Sequence, residues 1–388
     1  MRRCHAMCPV RLTELTLTEH DRVGLQDLAN SVIMEGLDKW NAYKAQNYKV
    51  DESHWKLVQQ RHNLKMYKER SSSDASGELL TGNGLPMVLA TGHIEGKLED
   101  LLYGLISTTL EEMRIKASYV DDWSGAAVLD TVVEPSLEDP FQSLVVKWME
   151  LDLPFASTNL VKNRDYVYLE GTGYVKDANG NRLGYHLIHS VGFPNTPDLP
   201  NRIRANMSAV GFWKQTAPNT FEMLKTAVMD PRGDMIKKIA VPAMVNALMS
   251  CSKFAYCGQM KKLAFILDKR YKEAKQHGAP NKKSVCVTCS APISGRRLGD
   301  FGKSSSTCKL CFGFVCHSCK ISRKLSFVDP DLLLSQRKVT FCAACMSEVT
   351  SMSATDVARA HMLANGNVNT IPSSLTSDEN STSLVSDN

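Results

Sequence analysis

Eight cysteines in the C-terminal third of the chain have the type and spacing of zinc ligands. They form four CxxC pairs separated by 18, 4 and 22 residues. A CxxC turn points two sulfurs at one position in space, which is half of a tetrahedral zinc site, so four pairs provide two complete Cys4 sites. The pairs are Cys286/Cys289, Cys308/Cys311, Cys316/Cys319 and Cys342/Cys345.

The shortest gap indicates how the pairs combine. Residues 312–315 are too few for the chain to fold back, so the two pairs that flank them most easily bind different ions. The sequence therefore predicts an interleaved arrangement of two Zn²⁺ ions. Cysteines fill all four positions of each site, which predicts structural rather than catalytic zinc. The first zinc is assigned to Cys286, Cys289, Cys316 and Cys319, and the second to Cys308, Cys311, Cys342 and Cys345.

The alternative interpretation of paired cysteines is a disulfide framework, which requires an oxidising compartment. Residues 1–9 contain no apolar run of signal-peptide length. Reduced cysteines bound to metal in a cytoplasmic protein are therefore the expectation.

Length and composition favour a protein of about two domains with a sizeable core. The chain has 388 residues, of which 43% are hydrophobic. No stretch approaches the roughly 20 apolar residues of a membrane span. Residues 281–350 carry 11 Lys and Arg against 4 Asp and Glu, and two thiolate-rich zinc sites offset most of that excess. We therefore expect no nucleic-acid partner.

Hydrophobic periodicity predicts a helix, two strands, a helix, a long run of strands and a final long helix. The first helix spans 18–46, with Thr18 as its N-cap and Asp21 three residues on. Short links between the strands of the long run imply an antiparallel sheet. Such a sheet would bury one face by curling around the last helix, which gives an α+β fold. The other predicted elements are strands 55–68 and 86–94, helix 97–114, strands 126–133, 142–151, 164–175, 182–191, 203–216 and 220–229, and helix 235–271 with Pro242 as its start or a kink.

Two short motifs in this element order resemble those of START domains, the helix-grip lipid-transfer fold. They are Arg164-Asp-Tyr-Val-Tyr168 in mid-sheet and Asp230-Pro-Arg-Gly233 before the last helix, and the resemblance covers residues 52–272. The cysteine module at 281–350 resembles a FYVE zinc finger in its spacing. A START domain followed by a FYVE finger resembles a large family of oomycete proteins.

The START resemblance implies a tunnel between the sheet and the C-terminal helix that holds one lipid or other hydrophobic molecule. Flexible methionines in the last helix (Met235, Met244, Met249 and Met260) suit varied ligands. The alternative is that the same side chains fill a solid core. The residues expected to line the cavity are Tyr166, Tyr168, Met244, Leu248 and Cys251.

The finger departs from the FYVE pattern where phosphatidylinositol 3-phosphate would bind. That family places a basic-basic-His-His stretch before the third cysteine, and here the stretch is Ser304-Ser-Ser-Thr307. A phosphoinositide headgroup needs several converging cations, so binding is expected to be weak or absent. The remaining candidates for membrane or headgroup contact are Arg296, Arg297, Phe301, Lys303 and Lys309.

No catalytic constellation is evident. His186 and His189 are three apart on a strand and so face opposite sides, and Asp165 and Glu170 are expected at the surface, the usual place for acids. The prediction is a non-enzymatic protein that binds a lipid or hydrophobic small molecule. The finger would contact a membrane, endosomal for instance, or a protein partner. The alternative is a protein-interaction scaffold with a closed, ligand-free START-like domain.

The predicted organisation has five parts. They are a flexible N-terminus (1–17), the START-like domain with its N-terminal helix (18–272), a linker (273–283), the FYVE-like finger (284–350) and a mostly disordered tail (351–388) that begins with a short helix at 354–363.

Overall fold

The structure is a computed structural model that describes residues 15–70, 85–120, 125–151, 162–233, 237–278, 284–293 and 306–366. The α+β fold class is confirmed, because a large antiparallel sheet carries helices on both faces and is followed by a small cysteine module. None of the described helices is both long enough and apolar enough to cross a membrane.

The large sheet contains ten of the described strands. Nine lie in the order β1-β2-β3-β10-β9-β7-β6-β5-β4, and β8 pairs in parallel with β6. The predicted strand 55–68 is a hairpin instead, because His62 adopts a left-handed φ of 52° at its turn. The strands are β1 Trp55–Arg61, β2 Leu64–Glu69, β3 Met87–Glu95, β4 Gly125–Val133, β5 Ser143–Leu151, β6 Asn163–Lys176, β7 Arg182–Ser190, β8 Arg202–Arg204, β9 Asn206–Ala217 and β10 Thr220–Asp230.

The first helix, α1 (Glu19–Ala45), covers the outer face of the sheet. The predicted N-cap is confirmed, since Thr18 and Asp21 form a capping box. Buried side chains such as Trp40 pack on the sheet, and a Cβ at Gly36 would lie 2.6 Å from Val210. The helix therefore approaches β9 closely.

The predicted helix 97–114 is two helices, α2 (Leu98–Leu105) and α3 (Leu110–Val120). The break arises because Glu112 accepts a bond from the Thr108 N–H at 2.7 Å and donates its own N–H to Thr109 Oγ1 at 3.2 Å. This reciprocal pattern begins a new helix.

The predicted helix 235–271 is also divided. Helix α4 (Lys237–Met249) contains Pro242 and lies on β2, β3 and β10. A 3₁₀ turn at Ser250–Lys253 separates it from α5 (Phe254–His277), which packs mainly on α2. A Cβ at Gly258 would lie 1.8 Å from the Asp100 carbonyl oxygen, so this crossing admits only glycine. Helix α5 is therefore fixed to α2, whereas α4 contacts the sheet.

The two motifs behind the START resemblance contact each other. Arg164 donates to the carbonyl oxygens of Pro231 and Arg232 at 3.0 and 2.9 Å. Asp165 accepts from Trp148 Nε1 at 2.9 Å. Both residues are buried, and Arg164 links the sheet to the turn that precedes α4, whereas Asp165 is bonded within the sheet.

The cysteine module and the chain end complete the fold. The short helix predicted at 354–363 is confirmed, and its Ala354, Val357 and Ala358 are buried against α2 and α5, so this first part of the tail packs on the sheet domain. The predicted linker is likewise helical as far as His277, and residues 1–14, 279–283 and 367–388 lie outside the described part. The remaining elements are β11 Ser306–Thr307, β12 Phe314–Val315, β13 Ile321–Val328, β14 Leu334–Phe341, α6 Ala343–Ser351 and α7 Ala354–Ala364.

Candidate functional site

The eight cysteines lie in two clusters of four, with the interleaved membership that the spacing predicts. Within each cluster all four sulfurs lie within 4.8 Å of one another. Two of these separations are 3.8 Å (Cys289–Cys316) and 3.9 Å (Cys311–Cys342). Zn–S bonds of about 2.3 Å in a tetrahedron place sulfurs about 3.8 Å apart. Both clusters therefore fit a four-coordinate metal ion. The clusters are Cys286, Cys289, Cys316 and Cys319, and Cys308, Cys311, Cys342 and Cys345.

Local backbone structure holds the cysteines in place. The Cys316 N–H points to Cys286 Sγ at 3.4 Å and the Cys345 N–H to Cys342 Sγ at 3.5 Å. Between the clusters, a Cβ at Gly313 would lie 2.3 Å from a methyl carbon of Val287. The short link between Cys311 and Cys316 can pass the turn of the first CxxC pair only because residue 313 is glycine.

The module is packed against the sheet domain through α5. Met260 and Leu263 of α5 share one apolar cluster with Leu325, Phe341 and Met346 of the module. The two regions are therefore joined by a continuous core.

A buried ion pair reinforces this junction. Lys262 lies 2.7 Å from Asp100 and donates to the carbonyl oxygens of Thr350 and Met352. The Ser326 N–H donates to Tyr119 Oη at 2.7 Å. Movement of the module would break these contacts as well as the apolar packing.

Most of the predicted membrane-contact residues lie outside the described residues, since Arg296, Arg297, Phe301 and Lys303 fall within 294–305. Lys309 is described and exposed, with its N–H bonded to the Thr340 carbonyl. Their role in membrane contact stays a prediction.

The five predicted cavity residues are all buried, but they belong to two separate apolar clusters. Tyr166 and Tyr168 lie with Met149 and Ala205 on the inner face of the sheet. The other three, Met244, Leu248 and Cys251, lie in the larger cluster between the sheet and α4. Met260, expected in the cavity, packs toward the module instead.

A buried charged network lies on the inner face of the sheet, and the sequence interpretation missed it. Its one carboxylate, Glu170, was expected at the surface. Lys116 and His186 each lie 2.8 Å from Glu170 Oε1, and Lys147 contacts Oε2. Lys225 lies 3.3 Å from the other ring nitrogen of His186. His189 faces the opposite side, as predicted, and contacts Ser208.

Electrostatics fix the protonation of this network. Burial and the nearby Lys225 lower the pKa of His186 to about 3. Burial alone would raise the pKa of Glu170, but Lys116 and Lys147 hold it well below its usual range. Burial lowers the pKa of Lys147 to about 8. At neutral pH Glu170 is therefore ionised and His186 is neutral, with Nε2 donating to Glu170 and Nδ1 accepting from Lys225.

A separate cleft lies beside α5. It has a volume of about 1090 Å³ and is lined by α3, α5, α7, β13 and the 134–140 loop. Phe265, Phe327 and Met362 contribute apolar surface, and Glu111 and Glu134 contribute carboxylates. None of the five predicted cavity residues lines it.

Comparisons with known proteins give distant structural similarity. Human StAR-related lipid transfer protein 5 matches with a TM-score of 0.41 and 13% identity, covering 59% of this chain and 97% of that one. Human STARD10 matches with a TM-score of 0.39 and 12% identity, covering 69% and 86%. A STAR-related lipid transfer protein fragment from Xanthomonas axonopodis matches at 0.38 and 15%, covering 52% and 96%.

No protein-family model matches the chain, and no curated protein matches its sequence. At these TM-scores and identities the similarities do not establish a function for this chain.

Proposed function

We propose that the chain is a non-enzymatic binding protein whose sheet domain, START-like in its motifs and element order, encloses one lipid or other hydrophobic molecule. The observation that carries this proposal is the charged network that is buried on the inner face of the sheet, beside the apolar cluster between the sheet and α4. A solid core of similar volume is often as stable or more stable without buried ions. Strongly perturbed ionisable groups cluster at functional sites.

The surroundings of the network suit an apolar ligand. Met66 and Met223 of the sheet and Met244 and Met249 of α4 lie in one apolar cluster. Methionine side chains repack around ligands of varied shape. The 3₁₀ turn separates α4 from the fixed helix α5. Helix α4 is the element that would move to admit a ligand.

The two cysteine clusters are proposed to hold structural Zn²⁺ in a FYVE-like module. Each ion would be enclosed by four thiolates, which leaves no position for a metal-bound nucleophile. The module would present a membrane or protein contact surface from the face opposite α5, in a cytoplasmic protein that associates peripherally with endosomal membranes. Phosphatidylinositol 3-phosphate selectivity is not expected, because Ser306 and Thr307 form β11 where the family carries basic residues.

The test is to purify the full chain, extract it with organic solvent and examine it by native mass spectrometry. We expect a bound apolar molecule, or uptake of one equivalent of a fluorescent fatty acid or sterol after delipidation. Purely apo protein with no uptake would contradict the proposal. Liposome sedimentation tests the module, and tight headgroup-selective binding would contradict the expectation for phosphatidylinositol 3-phosphate.

The second candidate function is a protein-interaction scaffold, which the cleft beside α5 favours. Its mixed apolar and acidic lining, at the junction of domain, module and α7, suits a basic amphipathic segment of a partner. A partner that cross-links to this cleft, together with an interior that takes up no ligand, would favour the scaffold.

A further inference from the structure

We infer that the interior selects a single-chain amphiphile with an anionic head, a carboxylate or a phosphate monoester, and that Lys225 holds this head. The inference rests on the proposed function and adds the ligand class to it. Lys225 is only 5% exposed and lies on the inner face of β10 between Met223 and Ala227.

Lys225 has too few acceptors for a buried ammonium. An ammonium group has three N–H donors. Among the described residues its one hydrogen bond goes to His186 Nδ1, at 3.3 Å. The ring of Phe254 lies beneath it, with its centroid 6.0 Å away. His186 offers no second acceptor, because Nε2 is occupied by Glu170.

The carboxylates nearby are already paired. Glu170 is bound by Lys116, Lys147 and His186. Two other pairs of the interior, Asp100–Lys262 and Glu112–Lys261, are separate from Lys225. None of these carboxylates contacts Lys225, which within the described part of the chain bonds only to the ring of His186, and an uncompensated buried charge is costly. A ligand anion would offset that cost.

A second buried donor, in the apolar cluster between the sheet and α4, has no acceptor at all in the part of the chain that the structure describes. Trp213 is fully buried, and its Nε1 has no hydrogen-bond partner among the described residues. Its ring and the stem of Lys225 meet above Gly211, where a Cβ would lie 2.9 Å from Trp213 Cη2 and 3.0 Å from Lys225 Cγ. Buried donors without partners are rare, and a ligand oxygen is one way to satisfy them.

The charge distinguishes an acid from an alcohol of the same chain length. A hydroxyl group would satisfy one donor but would leave the ammonium charge unbalanced. Hydrogen bonds to charged groups contribute about 1.5–3 kcal/mol, which corresponds to about 10- to 100-fold in affinity. The interior should therefore prefer oleate to oleyl alcohol by about that factor.

The test titrates the delipidated, zinc-loaded full chain with three probes: oleate, oleoyl lysophosphatidate and oleyl alcohol. We expect both anions to bind more tightly than the alcohol, and their relative affinity tells whether carboxylate or phosphate is preferred. Lys225→Met should lower anion affinity about 10- to 100-fold and lower alcohol affinity much less, so that the preference for oleate over oleyl alcohol is lost. Lys225→Arg should retain anion binding. Lys65→Met, at an exposed lysine on β2, is the control.

The outcomes separate this inference from the proposed function. Equal binding of oleate and oleyl alcohol, unchanged in Lys225→Met, would overturn the anion inference and leave the proposed function standing. Failure of the wild-type chain to bind any of the three probes, or a sterol, would overturn both. Thermal unfolding of each variant, checked first, excludes misfolding as the cause of lost binding.

Discussion

The cysteine module and the sheet interior both bury charge, but they balance it differently. In the module, two sets of four sulfurs lie at distances that suit a metal ion, so each charge has a partner once the ions bind. In the interior, Lys116 and Lys147 both contact the carboxylate of Glu170, and Lys225 bonds, as far as the chain is described, only to the neutral ring of His186. The sulfur clusters form complete four-ligand sites, whereas the charge of Lys225 in the interior has no anionic partner among the described residues. This difference supports the proposed structural role of the module and the proposed ligand binding in the interior.

Removal of zinc should have the largest effect, because a closed structural site contributes about 10–16 kcal/mol of folding free energy in small zinc domains. We expect about two zinc ions per chain by elemental analysis, and a strong chelator should unfold the module and lower the melting temperature. Cys345→Ser should reduce the count to about one ion. Ser318→Ala, between two ligands but exposed, is the control. A wild-type chain with no zinc would contradict the closed-site account.

Removal of the network carboxylate should have the next largest effect. Glu170→Gln removes the carboxylate that Lys116 and Lys147 contact in a buried site, and breaking a buried ion pair costs about 3–5 kcal/mol. Urea unfolding monitored by circular dichroism measures this cost, with the exposed Glu138→Gln as the control. A loss below about 1 kcal/mol would mean that the network is hydrated rather than buried.

Acid should weaken the fold through His186. Its pKa falls from 6.5 to about 3 on folding, so below pH 6.5 the unfolded chain binds a proton that the folded chain does not. Stability should therefore fall as pH decreases, by up to about 1.4 kcal/mol per pH unit from this group. Urea unfolding of His186→Gln between pH 7.5 and 5.5 should show a shallower slope than wild type. His317→Gln, at an exposed histidine, should keep the wild-type slope, and identical slopes for all three chains would contradict the assignment.

Removal of Lys225 should have the smallest effect on stability. It has one weak hydrogen bond and an incompletely balanced charge, so Lys225→Met should leave the apo protein unchanged or stabilise it. The measurement is the urea midpoint of delipidated protein. A loss as large as that of Glu170→Gln would show that the network is closed, which would remove the contrast between the two regions.

The sequence predicted the features whose signals are local. The CxxC spacing gave the sulfur grouping, Thr18 and Asp21 gave the first capping box, and alternation gave most of the strands. The START-like motifs, at Arg164 and Asp230–Gly233, proved to contact each other.

The features that the sequence did not predict depend on packing between distant elements. Lys225 reaches His186 because β10 lies beside β9 and β9 lies beside β7. Hydrophobic periodicity predicts strands but does not predict their order in the sheet. Lys116 enters the network from a helix. One signal was available: Lys147, Glu170 and Lys225 all occupy inward positions of their strands. The capping role of Glu112, which separates α2 from α3, could also have been predicted from the sequence. The continuous apolar stripe of 97–114 favoured a single helix instead.

The most direct test of the central claim is photoaffinity labelling of the delipidated full chain with a diazirine-bearing fatty acid, mapped by peptide mass spectrometry. The account predicts labels on the inner face beneath α4, at residues such as Met223, Met244 and Leu248, that unlabelled oleate prevents. Labels confined to the outer face or to the cleft beside α5, or labelling that oleate does not compete for, would contradict it.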